Sequence, residues 1–256
     1  MAKIFCVANQ KGGVGKTTTT VNLCAGLAHV GQRVLLVDLD PQGNATMGSG
    51  VSKTELPHTV YSVLIGEASV QASVVRAEAC GYDVLGANRE LAGAEVDLVN
   101  LTHRETRLKQ ALHTVADDYD FVLIDCPPAL SLLTLNGLCA ANGVVVPMQC
   151  EYFALEGLSD LVNTIKQVHA NLNRDLKIIG LLRVMFDPRI TLQQQVSEQI
   201  KRHFGDKVFE AVIPRNVRLA EAPSYGLPGV VFDPSAKGSL AYIEFAREMV
   251  ARVKQF

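Results

Sequence analysis

Gln10 to Thr20 reads QKGGVGKTTTT, and its glycines, lysines and hydroxyls are the parts of a phosphate-binding site. Gly12, Gly13 and Gly15 let the backbone turn tightly and approach an anion with no Cβ in the way. Where such a turn follows a strand and opens a helix, backbone N–H groups and the helix dipole converge on the anion. Lys16 has the position that reaches the β- and γ-phosphates of a nucleotide, and the Thr17 hydroxyl the position that sits on Mg²⁺. With Val14 and Thr18, the run is a nucleotide-binding loop. The plainer alternative is a glycine-rich turn before an ordinary helix. The strict P-loop pattern would place glycine where this chain has Gln10, and Lys11 is an additional lysine that otherwise reads as a solvated charge.

Two carboxylate motifs complement that loop. An apolar strand runs into DLDPQGN, with Asp38 ending the strand and Asp40 in a loop turned by Pro41 and Gly43. A carboxylate at Asp40 can orient an attacking water or hold a water on Mg²⁺; the alternative for Asp38 and Asp40 is turn capping. FVLID ends in Asp125, which fits a second Mg²⁺ position beside Thr17, because a hard cation takes oxygen ligands and keeps several waters. The alternative for Asp125 is a helix cap. Phosphoryl transfer asks mainly for positioning and charge neutralisation, and Lys16, Thr17, Asp40 and Asp125 supply both. No strong general base accompanies them, so slow turnover is expected, with hydrolysis acting as a timer.

These motifs need a scaffold that brings strand ends together. Buried-strand patterns cover 3–8, 34–38, 82–86, 121–125, 143–147 and 177–184, and helical patterns cover 17–30, 104–118, 130–141, 155–172, 191–204 and 238–253. Continuous apolar strands alternating with helices imply right-handed βαβ units. The expected fold is α/β: one doubly wound, mostly parallel sheet flanked by helices, in a single domain over 1–256. Ligands of such sheets bind beyond the carboxyl ends of strands, where all three motifs begin. Residues 48–80 are the least readable, with short helices and loops expected.

Bulk properties set the remaining bounds. The 256 residues carry a net charge of −2, with 48% hydrophobic and 20% charged side chains, the profile of an ordinary globular protein. Residues 183–256 hold a balance of +3 and residues 1–182 one of −5, too mild an asymmetry to name a polyanionic partner. Six scattered cysteines form no CxxC pair and read as buried thiols. The first strand begins almost at Met1, no signal peptide is expected, and no apolar run reaches 18 residues, so a cytoplasmic protein without membrane spans is expected.

KGGVGKTT resembles the deviant Walker A motif of the ParA/MinD ATPase family, and DLDPQGN its second motif. The likeness extends over the chain: GLCAANGVVVPMQCEYFALEGL, MFDPR, VIPRNVRLAEAPSYGLP and FDPSAKGSLAY are similar to chromosomal members of the ParA branch. The resemblance implies ATP and Mg²⁺ as ligands, with Lys11 reaching across a homodimer to the nucleotide of the partner and Asp40 needed for hydrolysis. It also implies that Pro214 and Asn216 face the adenine, and that the ATP-bound dimer binds double-stranded DNA without sequence preference. Arg189, Arg215 and Arg218 would contact phosphates, Lys237 more weakly, and a ParB-type partner would stimulate hydrolysis on the nucleoid. Bottom-up, Arg215 and Arg218 lie three apart and would present a paired charge, each phosphate contact steepening the salt dependence. Val184 stands where many relatives have Thr, and Ser235 where some have a basic residue. A MinD-like membrane ATPase is the alternative, weakened because the chain ends at Phe256 with no separate basic helix; an iron–sulfur reductase or a non-hydrolysing adaptor are more distant ones.

Overall fold

The aliphatic and β-branched runs form the eight strands of one sheet in the computed structural model, which describes residues 1–254. In chain order these are β1 (Lys3–Val7), β2 (Val34–Asp38), β3 (Val74–Ala77), β4 (Tyr82–Leu85), β5 (Phe121–Asp125), β6 (Gly143–Met148), β7 (Lys177–Phe186) and β8 (Val208–Pro214). Their order across the sheet is β3-β4-β2-β5-β1-β6-β7-β8. Every neighbouring pair is parallel except β3 and β4. This is the doubly wound, mostly parallel α/β architecture that the sequence pattern implies.

Alternation along the strands divides the apolar residues between the two faces. Phe5 and Val7 of β1 join Phe121 and Leu123 of β5 in one core, beneath the helices Lys16–His29 and Lys237–Val253. Cys6, Val122 and Ile124 point into the other, which is covered by helices that include Leu132–Ala140 and Ala154–Asn171. A sheet covered on both sides needs strands that are apolar on both sides, so β2, β5 and β6 are buried at every position. All six cysteines are buried free thiols. No helix among the described residues is long and apolar enough to cross a membrane.

The chain leaves β1 toward β2 and returns through β5, which lies between them. That reversal opens a crevice at the carboxyl ends of β1, β2 and β5, with Val7, Asp125 and Asp38 in register side by side. Two strands escape the sequence pattern. β3 is a four-residue antiparallel edge inside the unreadable stretch, and β8 is an edge strand whose Glu210 faces solvent, so neither shows the continuous apolar run used to find the others. The helix expected over 104–118 narrows to Arg107–His113, preceded by turns in which His103 adopts a positive φ of 55°. The expectation of no basic tail at Phe256 concerns residues outside those described.

Candidate functional site

The glycine loop connects β1 to the helix Lys16–His29, whose N-cap is Gly15 at φ 73°. Gly13 shares that φ, so both occupy the left-handed region where a side chain is strained. The helix then distributes its four threonines around one turn. Thr17 and Thr20, three apart and on one face, donate their hydroxyls to the two oxygens of Asp125, each at 2.8 Å. Thr19 meets the Tyr242 hydroxyl at 3.1 Å, and Thr18 turns to a cavity at the ends of β7 and β8. Thr20 was missed from the sequence; the TTTT run carried its signal, because spacing i, i+3 places it beside Thr17.

Lys16 is only 8% exposed, and its Nζ donates to the Lys11 carbonyl at 3.1 Å. Burial pushes its pKa below the usual lysine value, opposed by attraction to Asp125 and Asp40. Asp125 is fully buried at the end of β5 and its pKa rises to about 7, first through burial and then through the charge of Asp38, against the two threonine hydroxyls. Asp38 rises to about 6 through burial, although the Thr46 hydroxyl and N–H and the Asp40 N–H all donate to it. Asp38 therefore clamps the DLDPQGN loop from inside. Asp40 stands half-buried above it and accepts the Gln42 N–H at 2.9 Å through Oδ1. Gly43 follows at φ 62°, where a Cβ would lie 2.6 Å from the Ala87 carbonyl.

These raised carboxylate values carry a stability consequence. The unfolded chain ionises both groups near pH 4, whereas the folded protein holds their protons to about 6 and about 7. Over that window the native state binds more protons than the unfolded state, so stability falls as pH rises from about 4 to about 7 and levels off above. Asp187, held down to about 2 by Arg189, acts in the opposite sense below that window. Thermal melts of the nucleotide-free protein are expected to show a lower midpoint at pH 8 than at pH 5.5. A midpoint rising with pH across this interval would contradict the burial of the pair.

Lys11 projects from the loop and pairs with Glu151, Nζ to Oε2 at 2.6 Å, with both side chains about half exposed. Gln149 lies nearby: its amide donates to the Gly13 carbonyl at 2.9 Å and to Met185 Sδ at 3.2 Å. Met185 adopts a positive φ of 51° at the end of β7. Together with Gly15, Thr18, Val184, Pro214 and Asn216 it lines a cavity of about 140 Å³. Asn216 caps the helix Val217–Glu221 through Oδ1, which accepts from the Arg218 and Leu219 N–H groups, while its NH₂ has no partner among the described residues. Gln149, Glu151 and Met185 gave no sequence signal, since each contact joins residues far apart in the chain.

Two of the three expected surface arginines, Arg189 and Arg218, do not stand as bare charges. Arg189 is held by both oxygens of Asp187, and Arg218 pairs with Glu221 at 2.9 Å and Asp233 at 3.5 Å. Arg215 and Lys237 are exposed and form no ion pair among the described residues. The paired charge expected of Arg215 and Arg218 is thus largely compensated at Arg218. Ser235 bonds to Asp233 within the same turn, at 2.8 Å from its hydroxyl.

Comparison with known proteins agrees with this architecture. The family profile described as "AAA domain" matches residues 2–178. Sporulation initiation inhibitor protein Soj of Bacillus subtilis is 52% identical over 98% of this chain and 99% of its own. Chromosome partitioning protein ParA of Caulobacter vibrioides is 49% identical over 98% and 94%. Among solved structures, a protein from Mycobacterium smegmatis described as cobyrinic acid a,c-diamide synthase, with bound ADP and magnesium, superposes with a TM-score of 0.87 at 41% identity, covering 99% of this chain and 96% of its own. The chain belongs to the ParA/Soj family of chromosome-partitioning ATPases.

Proposed function

We propose that this chain is an ATP-driven switch for partitioning replicated chromosomes, in which Mg-ATP builds a homodimer that binds DNA and hydrolysis takes it apart. The observation that carries the reading is the cradle under the glycine loop: a buried Lys16 and a buried Asp125 whose two oxygens hold the hydroxyls of Thr17 and Thr20. The donor set fits Mg²⁺, being hard oxygen atoms from one hydroxyl and one carboxylate. No three His, Cys, Asp or Glu side chains among the described residues are grouped to hold a metal by themselves, as suits an ion that shares its shell with substrate phosphates. When bound there, Mg²⁺ neutralises charge on the β- and γ-phosphates.

The side chains divide the remaining tasks. Backbone N–H groups from Gly12 to Thr18 surround the phosphates, and Lys16 supplies the desolvated positive charge. The cavity between Gly15 and Asn216 takes the base, with the Asn216 NH₂ offered to a ring acceptor. Asp40 orients the attacking water, and its open position favours slow turnover until a partner closes it. Lys11 completes the charge in trans. In the single chain it is tied to Glu151, so dimerisation must break that pair. Glu151→Gln is accordingly expected to shift the analogue-dependent monomer–dimer equilibrium toward dimer by about two- to fivefold, the range of an exposed ion pair. Sedimentation of wild type and variant under equal analogue concentrations would measure it, and an unchanged midpoint would show that the pair does not restrain Lys11.

Arg189, Arg215, Arg218 and Lys237 form the proposed DNA face on the nucleoid, with phosphates displacing Asp187 from Arg189 and Glu221 from Arg218. A ParB-type centromere-binding protein would be the partner that accelerates hydrolysis. The deciding experiment is retention on non-specific DNA with ATP, with ADP and with a non-hydrolysable analogue. Retention is expected with the analogue and loss with ADP; equal retention in both states would refute the switch.

A further inference from the structure

We propose that a cleft on the β3–β4 side of the Asp40 loop is a second anion site, one that takes a small phosphorylated molecule and transmits its occupancy to that loop. The cleft lies between the segment after the DLDPQGN loop and the turn after β4. It has a volume of about 600 Å³ and is lined by Lys53, His58, Thr59, Asn88, Arg89 and Glu90 among others. Its size is that of a small-molecule site, several times the cavity beside Gly15.

The first pointer to a ligand is Thr59. It is 3% exposed, and its hydroxyl has no hydrogen-bond partner among the described residues. It occupies the N-cap of the short helix Val60–Ile65, where threonine ordinarily accepts a backbone N–H, yet makes no such bond. A buried hydroxyl without a partner is costly, and because Oγ1 is enclosed, an arriving ligand would have to turn it inward to bond it.

Charge names the ligand class. The basic side chains Lys53, Arg89 and His58 outnumber the single carboxylate of Glu90. The Arg89 guanidinium and the His58 ring form no hydrogen bond or ion pair among the described residues, so their donors are available. A guanidinium fork, an ammonium and a hydroxyl donor together match the several oxygens of a phosphate better than the two of a carboxylate. Leu56 and Pro57 add an apolar wall for an organic body.

The link to the Asp40 loop is direct. Lys53 Nζ donates to the Gln42 carbonyl at 2.7 Å, and the Lys53 stem packs against Gly43. On the opposite wall, Ala87, next to Asn88, donates its N–H to the Thr46 hydroxyl, which in turn donates to Asp38. An anion that draws Lys53 toward itself releases Gln42 and loosens the loop carrying Asp40.

Binding can be tested apart from hydrolysis. Inorganic pyrophosphate is titrated into the full chain saturated with Mg-ADP, so that the glycine loop is already filled, while backbone amide resonances are followed. Saturable shifts are expected at Thr59, Asn88 and Gln42, weakened about tenfold in Arg89→Glu, an exposed position. Orthophosphate in a parallel titration separates a bare phosphate site from one that needs the larger ligand: equal affinity overturns the larger ligand class. Absence of saturable shifts at Thr59 and Asn88, or an identical titration in Arg89→Glu, overturns the site. Thr59→Val is expected to raise the melting temperature of the ligand-free protein and weaken pyrophosphate; a lower melting temperature would mean that the hydroxyl has a partner after all. The transmission step rests on the proposed role of Asp40, so turnover is a separate readout. Pyrophosphate should change wild-type turnover but not that of Lys53→Met, and unchanged wild-type turnover despite amide shifts overturns the transmission alone. A chain that binds pyrophosphate here but hydrolyses no ATP would defeat the ATPase reading and leave the cleft standing.

Discussion

Lys16→Ala is expected to lower ATP affinity by at least about a hundredfold, the scale of losing a charge-assisted contact to phosphate in a desolvated site. Two features make the effect large. The ammonium is nearly enclosed, so its attraction for an anion is poorly screened by water, and the burial that lowers its pKa is opposed only in part by Asp125 and Asp40, leaving room for a further anion to stabilise it. Removing it also strips Asp125 and Asp40 of a cation that attracts both, adding uncompensated negative charge where phosphates would sit. Arginine would not substitute, because its planar fork does not reproduce the compact point charge of an ammonium. Fluorescent-nucleotide titration measures the loss, with circular dichroism confirming that the variant is folded. Affinity within threefold of wild type would remove Lys16 from the phosphate contact and with it the basis of the switch.

The sequence revealed the core strands and the loop better than it revealed their connections. β2, β5 and β6 are read directly because each is buried at every position, and β1 because only Lys3 and Ile4 at its start reach the surface. The motif residues were equally plain: Gly15, Lys16, Thr17, Asp40 and Asp125 lie at the ends of those strands, and the reversal between β1 and β5 brings them together. Edge strand β8 was hidden by exposed Glu210, and β3 by its length of four residues. Long-range partners were the least legible. Glu151 on Lys11, Gln149 on Gly13 and the paired carboxylates on Arg218 each depend on which loops the sheet order places side by side. The sequence assigns the water-positioning role to Asp40, with turn capping the alternative for both Asp38 and Asp40. Burial separates them: Asp38 has three donors and no exposure, whereas Asp40 keeps an oxygen for something outside the loop.

That separation gives the second large effect. Asp40→Ala is expected to reduce ATP turnover by about 10²- to 10⁴-fold, the usual contribution of a carboxylate that positions or activates a water, while ATP affinity stays within a fewfold of wild type. The loop should survive, because its anchors are the donors to Asp38 and the Thr46–Ala87 bond rather than the Asp40 side chain, whose one internal bond is to the Gln42 N–H. Asp38→Ala is the contrasting case: it orphans the buried Thr46 N–H and the half-buried Asp40 N–H and should lower the melting temperature. In the proposed cycle, a chain that binds but does not hydrolyse accumulates as the ATP-bound dimer, so Asp40→Ala should remain on DNA with ATP as wild type does only with a non-hydrolysable analogue. Single-turnover hydrolysis and DNA retention on the same preparation measure both halves. Normal turnover in this variant would move the water-positioning role elsewhere in the crevice, and lost DNA retention alongside lost turnover would mean that Asp40 builds the dimer rather than ends it.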